Sequence, residues 1–200
     1  MEEQSSSVAA RKRHNRVSMR RLSMFMISVL LYLFPGRRVQ FDGIPIIDGL
    51  RPKLFSLGKI TIGTKCVFRS FRLRQQVTAL EGGTLQIGPN SFFNDGVTIC
   101  ASTRIQIGHS CKIGDMVYIY DTDFHSVSPD TTIGRKAVTI GNNVWIGTNS
   151  MILAGTTIGD HAVIAAGSIV TGEIPPKSLA AGNHARVIIS FECSDDWVRP

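Results

Sequence analysis

Aliphatic side chains recur at every sixth position near the end of the chain, and this period limits the possible folds more than any other feature. The recurring residues are Ile140, Ile146, Ile152, Ile158, Ile164 and Val170. Four positions after the first five of them stand the small or β-branched residues Val144, Ser150, Thr156, Ala162 and Ser168. A period of six matches neither the α-helix nor a simple alternating hairpin. It predicts a solenoid in which each hexad is a short strand plus a turn, and three hexads close one triangular coil.

The same phase appears earlier in the chain in a less regular form. Its aliphatic or aromatic positions are Ile62 and Phe68, then Ile87, Phe93 and Ile99, then Ile107, Ile113 and Ile119. In each hexad we expect this residue to fill the interior of the prism, while the small residue lets the chain turn a corner. About five coils follow. With 43% hydrophobic residues among 200, the chain can build one substantial core.

The four cysteines lie far apart and form no CxxC pair, which excludes a zinc ribbon and a disulfide-dense miniprotein. Cys66 and Cys111 occupy the small-residue position of their hexads. We therefore interpret them as compact buried side chains rather than redox or metal groups. Reduced structural thiols agree with a cytoplasmic protein.

The positive charge is concentrated at one end of the chain. The formal net charge is +7, and the first 40 residues contain eight basic and two acidic side chains. The remaining 160 residues are close to neutral, with 14 basic and 13 acidic side chains. A nucleic-acid binder should carry its charge on the folded surface, so we expect no nucleic-acid partner.

The basic arm has two parts. Residues 1–17 are polar and Arg-rich without apolar periodicity, which predicts a disordered tail. Residues 22–34 are mostly apolar and flanked by arginine pairs. A helix there would be about 20 Å long against roughly 30 Å of hydrocarbon, so it cannot cross a bilayer. Two interpretations stay open: an interfacial anchor, in which the basic residues of 11–38 meet anionic lipid, or a helix that caps the core.

These features divide the chain into an arm at 1–38, a β-helix domain at 39–183 and a C-terminal tail at 184–200.

The six-residue period is interrupted once, after Ile119, and resumes only at Val138–Ile140. An excursion of this length from a regular coil is typical of a functional loop. It contains His125, and histidine has an unperturbed pKa of about 6.5 that suits proton abstraction near neutral pH. A histidine in a loop can also be an ordinary solvated side chain, so its position alone does not assign it a role.

Three stretches together resemble one known family. They are DTDFHS at 121–126, VTIGNNVWIG at 138–147 and AGTTIGDHAVIAAGSIVTGEIPPKSLAAGN at 154–183. They are similar to the hexapeptide-repeat O-acetyltransferases, in particular the galactoside and maltose acetyltransferases and those of capsule and exopolysaccharide clusters. The resemblance covers residues of about 60–190. It implies an all-β, left-handed parallel β-helix, with the N-terminal helical arm and the loop after Ile119 as additions.

The resemblance also implies an activity. It implies an acyltransferase that moves an acetyl group from acetyl-CoA to a sugar hydroxyl, in capsule, exopolysaccharide or lipid-linked glycan synthesis. We expect a homotrimer, because one prism face with Trp145, Thr148 and Ala166 cannot enclose a long ligand alone. His125 matches the family's general base, and a backbone N–H at the position of Thr148 stabilises the oxyanion. Asn94 and Asp123 match the acceptor side of the site; Asn94 also fits a plain turn residue in Asn94-Asp95-Gly96. No G-x-S-x-G elbow is present, which agrees with direct attack by the acceptor rather than an acyl-enzyme.

The coenzyme positions implied by the resemblance are Trp145, Thr148, Ala166, Lys177 and Arg186. Trp145 lines the groove of the pantetheine arm, Thr148 and Ala166 approach that arm by their backbone, and Arg186 faces the nucleotide phosphates. The sequence departs from the family pattern twice: Gly172 stands near a common lysine, and His184 replaces a usual proline. The phosphate contacts then depend on Arg186 and Lys177, or on a neighbouring chain.

Three alternatives share this solenoid. A zinc-dependent carbonic anhydrase needs three convergent histidines, but His109 and His161 occupy outward turn positions, so we expect no metal. An antibiotic acetyltransferase would share the base and the coenzyme groove and differ in its acceptor. A non-catalytic scaffold would not require His125 in its DFHS setting. The expected location is cytoplasmic, and the arm leaves open a peripheral position on the cytoplasmic face of the inner membrane.

Overall fold

The computed structural model describes residues 22–34, 36 and 38–200. The predicted disordered tail at 1–17 lies outside these residues. The described part contains one α-helix, α1 (22–33), and 21 strands numbered in chain order.

The strands form three sheets, one for each side of a triangular prism, which we call sheets A, B and C. Sheet A contains β1 (Val39–Phe41), β4 (Lys59–Ile62), β7 (Thr84–Ile87), β10 (Arg104–Ile107), β13 (Val138–Ile140), β16 (Thr157–Ile158) and β19 (Glu173–Ile174). Sheet B contains β2 (Ile46–Gly49), β5 (Val67–Ser70), β8 (Phe92–Phe93), β11 (Lys112–Ile113), β14 (Trp145–Ile146), β17 (Val163–Ile164), β20 (Ser178–Gly182) and β21 (Ala185–Ser190). Sheet C contains β3 (Lys53–Ser56), β6 (Gln76–Ala79), β9 (Thr98–Ala101), β12 (Tyr118–Tyr120), β15 (Met151–Ile152) and β18 (Ile169–Val170).

Successive strands pass from sheet A to B to C and back to A, and neighbours within a sheet are parallel except for β20 and β21. The predicted parallel β-helix is therefore confirmed. The described residues form about six coils, where the sequence indicated about five. The additional coil is β1–β3. Its inward residues Phe41, Ile47 and Leu54 are not evenly spaced by six, so the hexad period does not reveal it.

The core is a set of side-chain ladders that run along the prism. In sheet A, one ladder pairs inward isoleucines in register from coil to coil: Ile62, Ile87, Ile107, Ile140, Ile158 and Ile174. All six are buried, and the six-residue period predicts this for all of them except Ile174. Each coil thus completes the burial of its neighbours, at roughly 25 cal/mol for every Å² of apolar surface removed from water.

The prism corners have a regular backbone conformation. Along the corner from sheet A to sheet B, one residue of each turn after the first coil has φ between 51° and 64°: Lys65, Asn90, Ser110, Asn143, His161 and Lys177. The small residue that follows is buried. Cys66 and Cys111 take this position, and burial raises the pKa of Cys66 to about 11 and of Cys111 to about 12. Both thiols therefore stay protonated, which confirms their structural interpretation.

Helix α1 packs against the first coil by one face. Leu31 is only 1% exposed and belongs to the core cluster. Ser28 Oγ accepts a hydrogen bond from the Ile47 N–H at 3.1 Å and donates to the Met24 carbonyl at 2.9 Å. The other face presents Phe25 and Leu33, which are more than half exposed. In the described residues, no helix is long and apolar enough to cross a membrane.

The C-terminal residues continue the fold beyond position 183. Strand β21 pairs antiparallel with β20, and the chain then returns toward the corner between sheets A and B. The division of the chain at 183/184 stays a prediction, but the segment assigned to a tail contributes a strand to sheet B.

Candidate active site

The excursion after β12 is fixed at its base by a buried carboxylate. Asp121 is fully buried, and its side chain accepts hydrogen bonds from the backbone N–H groups of Ser102 at 2.6 Å and Thr103 at 2.7 Å. The Thr103 hydroxyl donates to the same carboxylate at 2.9 Å. At the other end of the loop, the Lys136 N–H donates to the Asp121 carbonyl at 3.0 Å. One residue thus fixes both ends of the excursion to the preceding coil.

Within the loop, a short turn presents His125 to solvent. The Asp123 N–H bonds the Gly134 carbonyl at 2.9 Å, and the His125 N–H bonds the Asp123 carbonyl at 2.7 Å. Phe124 between them has φ of 61°, and its ring meets Tyr120 edge-on at 5.3 Å between centroids. His125 is exposed on this turn. The Asp123 carboxylate lies over Gly134, where a Cβ would collide with it.

A second group of predicted residues lies on the corner between sheets B and C. Thr148 and Ala166 are in register there, and the Gly167 N–H donates to the Thr148 carbonyl at 2.8 Å. The glycine before Thr148 is required, because a side chain at Gly147 would meet the backbone of Ala166. Within the described part of the chain, the Thr148 N–H donates to no acceptor. A free N–H on a rigid corner can stabilise a developing oxyanion, the role implied for this position.

Asn94 lies on the same corner, two coils closer to the N-terminus than Thr148. Its N–H donates to the Ile113 carbonyl at 3.0 Å, and its carbonyl accepts from Gln75 Nε2 at 3.1 Å. The turn role of Asn94 is therefore clear, and its half-buried side chain leaves the acceptor role as a prediction.

Asp95 fixes this turn to the coil below. Its carboxylate accepts from the N–H groups of Phe71, Arg72 and Leu73 at 2.7, 3.1 and 3.3 Å. Burial alone would raise the pKa of Asp95, but these three donors and the Arg72 guanidinium outweigh burial and hold the pKa below its ordinary value.

Trp145 lies on the outer face of sheet B and is 46% exposed. The guanidinium carbon of Arg199 lies 5.9 Å from the centroid of its ring and 4.7 Å from that of Trp197. Asn143 holds this segment, because its Oδ1 accepts from the Arg199 N–H and its Nδ2 donates to the Trp197 carbonyl, both at 2.8 Å. Sequence reasoning missed these residues. The available signal was a tryptophan in a segment assigned to a tail.

Arg186 and Lys177 lie near opposite corners of the prism, at the two ends of the strands of sheet B. Arg186 is exposed and pairs with Ala181. The preceding residue, Ala180, pairs with Ile164, so Arg186 lies near the corner that contains Ala166. Lys177 is on the corner between sheets A and B, where its Nζ forms an ion pair with Asp195 at 2.8 Å.

The hydrogen bond to Asp195 raises the pKa of Lys177, and the same bond lowers the pKa of Asp195. The structure therefore brings Arg186 toward Thr148 and Ala166 and keeps Lys177 away from them.

His125 and Thr148 also lie at different corners of the prism within one chain. His125 follows sheet C on the corner with sheet A, whereas Thr148 precedes sheet C on the corner with sheet B. One side of the prism separates these two corners, which is about 15 Å if roughly five residues of extended chain cross it. His125 and the residues at Thr148 therefore form two separate groups on a single chain.

In residues 22–34, 36 and 38–200, no three His, Cys, Asp or Glu side chains are placed to hold a metal ion. The histidines considered for zinc have other neighbours: His161 Nδ1 lies 2.9 Å from Asn143 Nδ2, and His109 Nδ1 lies 3.3 Å from Ser110 Oγ.

Comparison with known proteins agrees with this fold. Residues 137–172 match the family model described as bacterial transferase hexapeptide (six repeats). The chain is 41% identical over 110 residues to a galactoside O-acetyltransferase of Escherichia coli (strain K12), covering 54% of each chain. It is 33% identical over 128 residues to the putative lipopolysaccharide biosynthesis O-acetyl transferase WbbJ of the same strain, covering 58% of this chain and 65% of that one.

A solved galactoside acetyltransferase in complex with coenzyme A superimposes with a TM-score of 0.55 at 27% identity, over 86% of this chain and 81% of that one. The resemblance to the hexapeptide-repeat O-acetyltransferases is confirmed. The left-handed β-helix is confirmed with it. The chain spans about half the length of the galactoside O-acetyltransferase it matches and about two thirds of the second relative.

The lowered pKa of Asp95 predicts a pH-dependent stability in this hexapeptide-repeat protein. Its ionised form stabilises the fold above the unfolded-state pKa of about 3.9, and the contribution is lost as pH falls through the lower folded-state value. We expect Asp95→Asn to lower the melting temperature at pH 7 and to have a smaller effect near pH 3. Thermal melts of both proteins across this range test it; an equal loss at both pH values would contradict the ionic contribution.

Proposed function

We propose that the chain is an acetyl-CoA-dependent O-acetyltransferase that acts on a sugar hydroxyl of a capsule, exopolysaccharide or lipid-linked glycan. The observation that carries the proposal is the exposed His125, presented by a loop whose two ends Asp121 fixes to the solenoid. The two relatives compared above are named as O-acetyltransferases, and one of them as a lipopolysaccharide biosynthesis enzyme.

The residues suggest a direct transfer. His125 accepts the proton of the acceptor hydroxyl while the hydroxyl oxygen forms a bond to the thioester carbonyl carbon. The Thr148 N–H donates to the carbonyl oxygen as negative charge develops there. The carbon–sulfur bond then breaks, and the protonated His125 returns its proton to the leaving thiolate. Coenzyme A leaves as the free thiol and the sugar as its acetyl ester.

The donor would lie along the corner of sheets B and C. Trp145, Thr148 and Ala166 offer an exposed ring and close backbone approach, and Arg186 adds a positive charge at the same edge for the phosphates. Asn94 and Asp123 would contact the acceptor. Lys177 contributes less than expected, because Asp195 already pairs with it.

We propose that the active unit is a homotrimer. The support is the distance between the two groups of residues on one chain, since a neighbouring chain can bring its His125 to the corner of Thr148. Closed cyclic assemblies are a common outcome when a repeated surface meets a different surface of the next copy.

The exposed face of α1 supports a peripheral position on an anionic membrane, on the cytoplasmic side. The helix is too short to span but presents an apolar surface that includes Phe25 and Leu33. Such a face inserts partially between headgroups, and basic residues nearby add electrostatic attraction. A membrane-linked glycan is a more suitable acceptor for such a protein than a soluble drug, which makes the small-molecule acetyltransferase the second candidate.

The role of His125 can be tested by kinetics. We expect His125→Ala to lower turnover by about 10²- to 10⁴-fold and to leave coenzyme A binding nearly unchanged, since only the general base is removed. Arg186→Ala should instead weaken coenzyme A binding as its main defect. His109→Ala, another exposed histidine, is the matched control. Steady-state kinetics and calorimetry separate the two effects, and a His125→Ala variant with more than a tenth of normal turnover would contradict the assignment.

The shared site can be tested by mixing subunits. Light scattering should give the mass of three chains. Refolding His125→Ala together with Arg186→Ala should restore activity, because some interfaces then join an intact His125 from one chain to an intact Arg186 from another. An active monomer, or mixtures no better than the separate variants, would contradict the trimer.

The membrane proposal can be tested with two neighbouring leucines. Leu33→Asp changes the exposed face of α1 and should reduce sedimentation with phosphatidylglycerol vesicles without lowering stability. Leu31→Ala changes the buried face and should cost about 2 to 3 kcal/mol of unfolding free energy while the folded protein still binds vesicles. Binding should weaken, but not disappear, as salt rises, because salt screens only the charged contribution. Equal vesicle binding by Leu33→Asp and the unmodified protein would leave α1 as a cap alone.

A further inference from the structure

The outer face of sheet A carries a row of basic side chains along its first four strands. The Ile60 N–H bonds the Arg38 carbonyl at 2.9 Å, so Arg38 lies beside Lys59 on the next strand. Lys59 is in register with Thr84, and Thr84 with Arg104. Three of four consecutive positions are therefore cationic, at a strand spacing of about 4.8 Å. All four side chains are exposed.

This row has no neutralising partners in the described residues. None of the three ion pairs found there includes Arg38, Lys59 or Arg104. Arg104 Nη2 donates to the neutral amide oxygen of Gln106 at 2.6 Å. Like charges on adjacent strands repel each other. The row therefore keeps an unpaired positive charge that an anionic ligand can neutralise.

The row also borders a concave surface. A recess of about 530 Å³ is lined by Arg38, Lys59 and Thr84 together with three glycines at the corner of sheets C and A, Gly58, Gly82 and Gly83. An adjoining depression of about 360 Å³ is lined by Lys59, Thr84, Gln86 and Arg104, among others. The two share Gln40, Lys59 and Thr84 as lining residues, so they adjoin on the outer face of sheet A, and we refer to them together as the groove.

The groove leads toward the loop that carries His125. Ile105 pairs with Val138, which places Arg104 beside Ala137, the last residue of the excursion. Lys59 is three strands from Ala137, or about 14 Å. Cations spread over this length match negative charges spaced along an extended chain better than they match a single ion.

We propose that this row binds an acidic glycan, with carboxylate or phosphate groups along its length, and directs one of its sugars toward His125. The binding site rests on the groove and its charge, and the naming of the glycan as acceptor rests on the proposed acetyltransferase function. Arg38, Lys59 and Arg104 contact the charged groups, and Gln86 and Thr84 offer hydrogen bonds to neutral hydroxyls between them.

The test is binding of oligogalacturonate, a carboxylate-bearing glycan, to the full-length protein by calorimetry without any donor. We expect binding that weakens with salt, and neutral dextran should not bind. Lys59→Ala combined with Arg104→Ala should lower the affinity about tenfold, because each exposed charge contributes modestly. Lys53→Ala, an exposed lysine on the outer face of sheet C, is the matched control and should change the affinity less than twofold. A phosphate polymer run in parallel shows which acidic group is preferred.

Two results would overturn the proposal. One is equal affinity of the double variant and the unmodified protein for both anionic polymers, including the case in which neither binds. The other is a double variant that binds phosphatidylglycerol vesicles more weakly than the unmodified protein but binds the anionic polymers equally well. That result would assign the row to lipid headgroups. The binding experiment contains no acetyl donor, so it tests the glycan site separately from the acetyltransferase function. A protein that binds oligogalacturonate but has no acetyltransferase activity would contradict only the proposed acetyltransferase function.

Discussion

The in-register stacking of inward aliphatic side chains is the interaction on which the rest of the structure depends. Each coil has an apolar interior that only the coils above and below can cover, so burial is continuous along the prism and incomplete at its ends. The isoleucine ladder through Ile87, Ile107 and Ile140 shows this continuity, because the loop that separates the last two in sequence leaves their pairing intact. At the N-terminal end, α1 contributes Leu31 to the same core and covers the first coil.

The same repetition explains what the sequence predicts and what it does not. Residues that must face inward recur at every sixth position. The sequence alone therefore predicts the coils from Ile62 to Val170, the buried positions of Cys66 and Cys111, and the excursion that contains His125. The first coil lacks the regular spacing, and its burial depends on a separate helix. Such a contact between distant segments leaves no period in the sequence.

The coenzyme positions show a second limit of sequence reasoning. Lys177 and Arg186 are close in sequence and carry the same charge, but the hairpin of β20 and β21 places them at opposite edges of sheet B. Asp195 reaches Lys177 only because the final residues turn back, and Asn143 holds that return by hydrogen bonds to Trp197 and Arg199. Neither the return nor its consequence for Trp145 follows from local pattern. Both depend on where the residues after β21 pack against sheet B.

A rigid solenoid also determines how its functional groups can be combined. Corners stack in register, so residues on one corner stay together, as Thr148 and Ala166 do, while residues on different corners stay a sheet width apart. Asp121 fixes the base of the loop that carries His125 at a different corner from that of Thr148. In the proposed homotrimer, a second chain would complete the site, by assembly rather than by conformational change. The cationic row of sheet A reaches the same loop from the other side, which would give donor and acceptor separate approaches to His125.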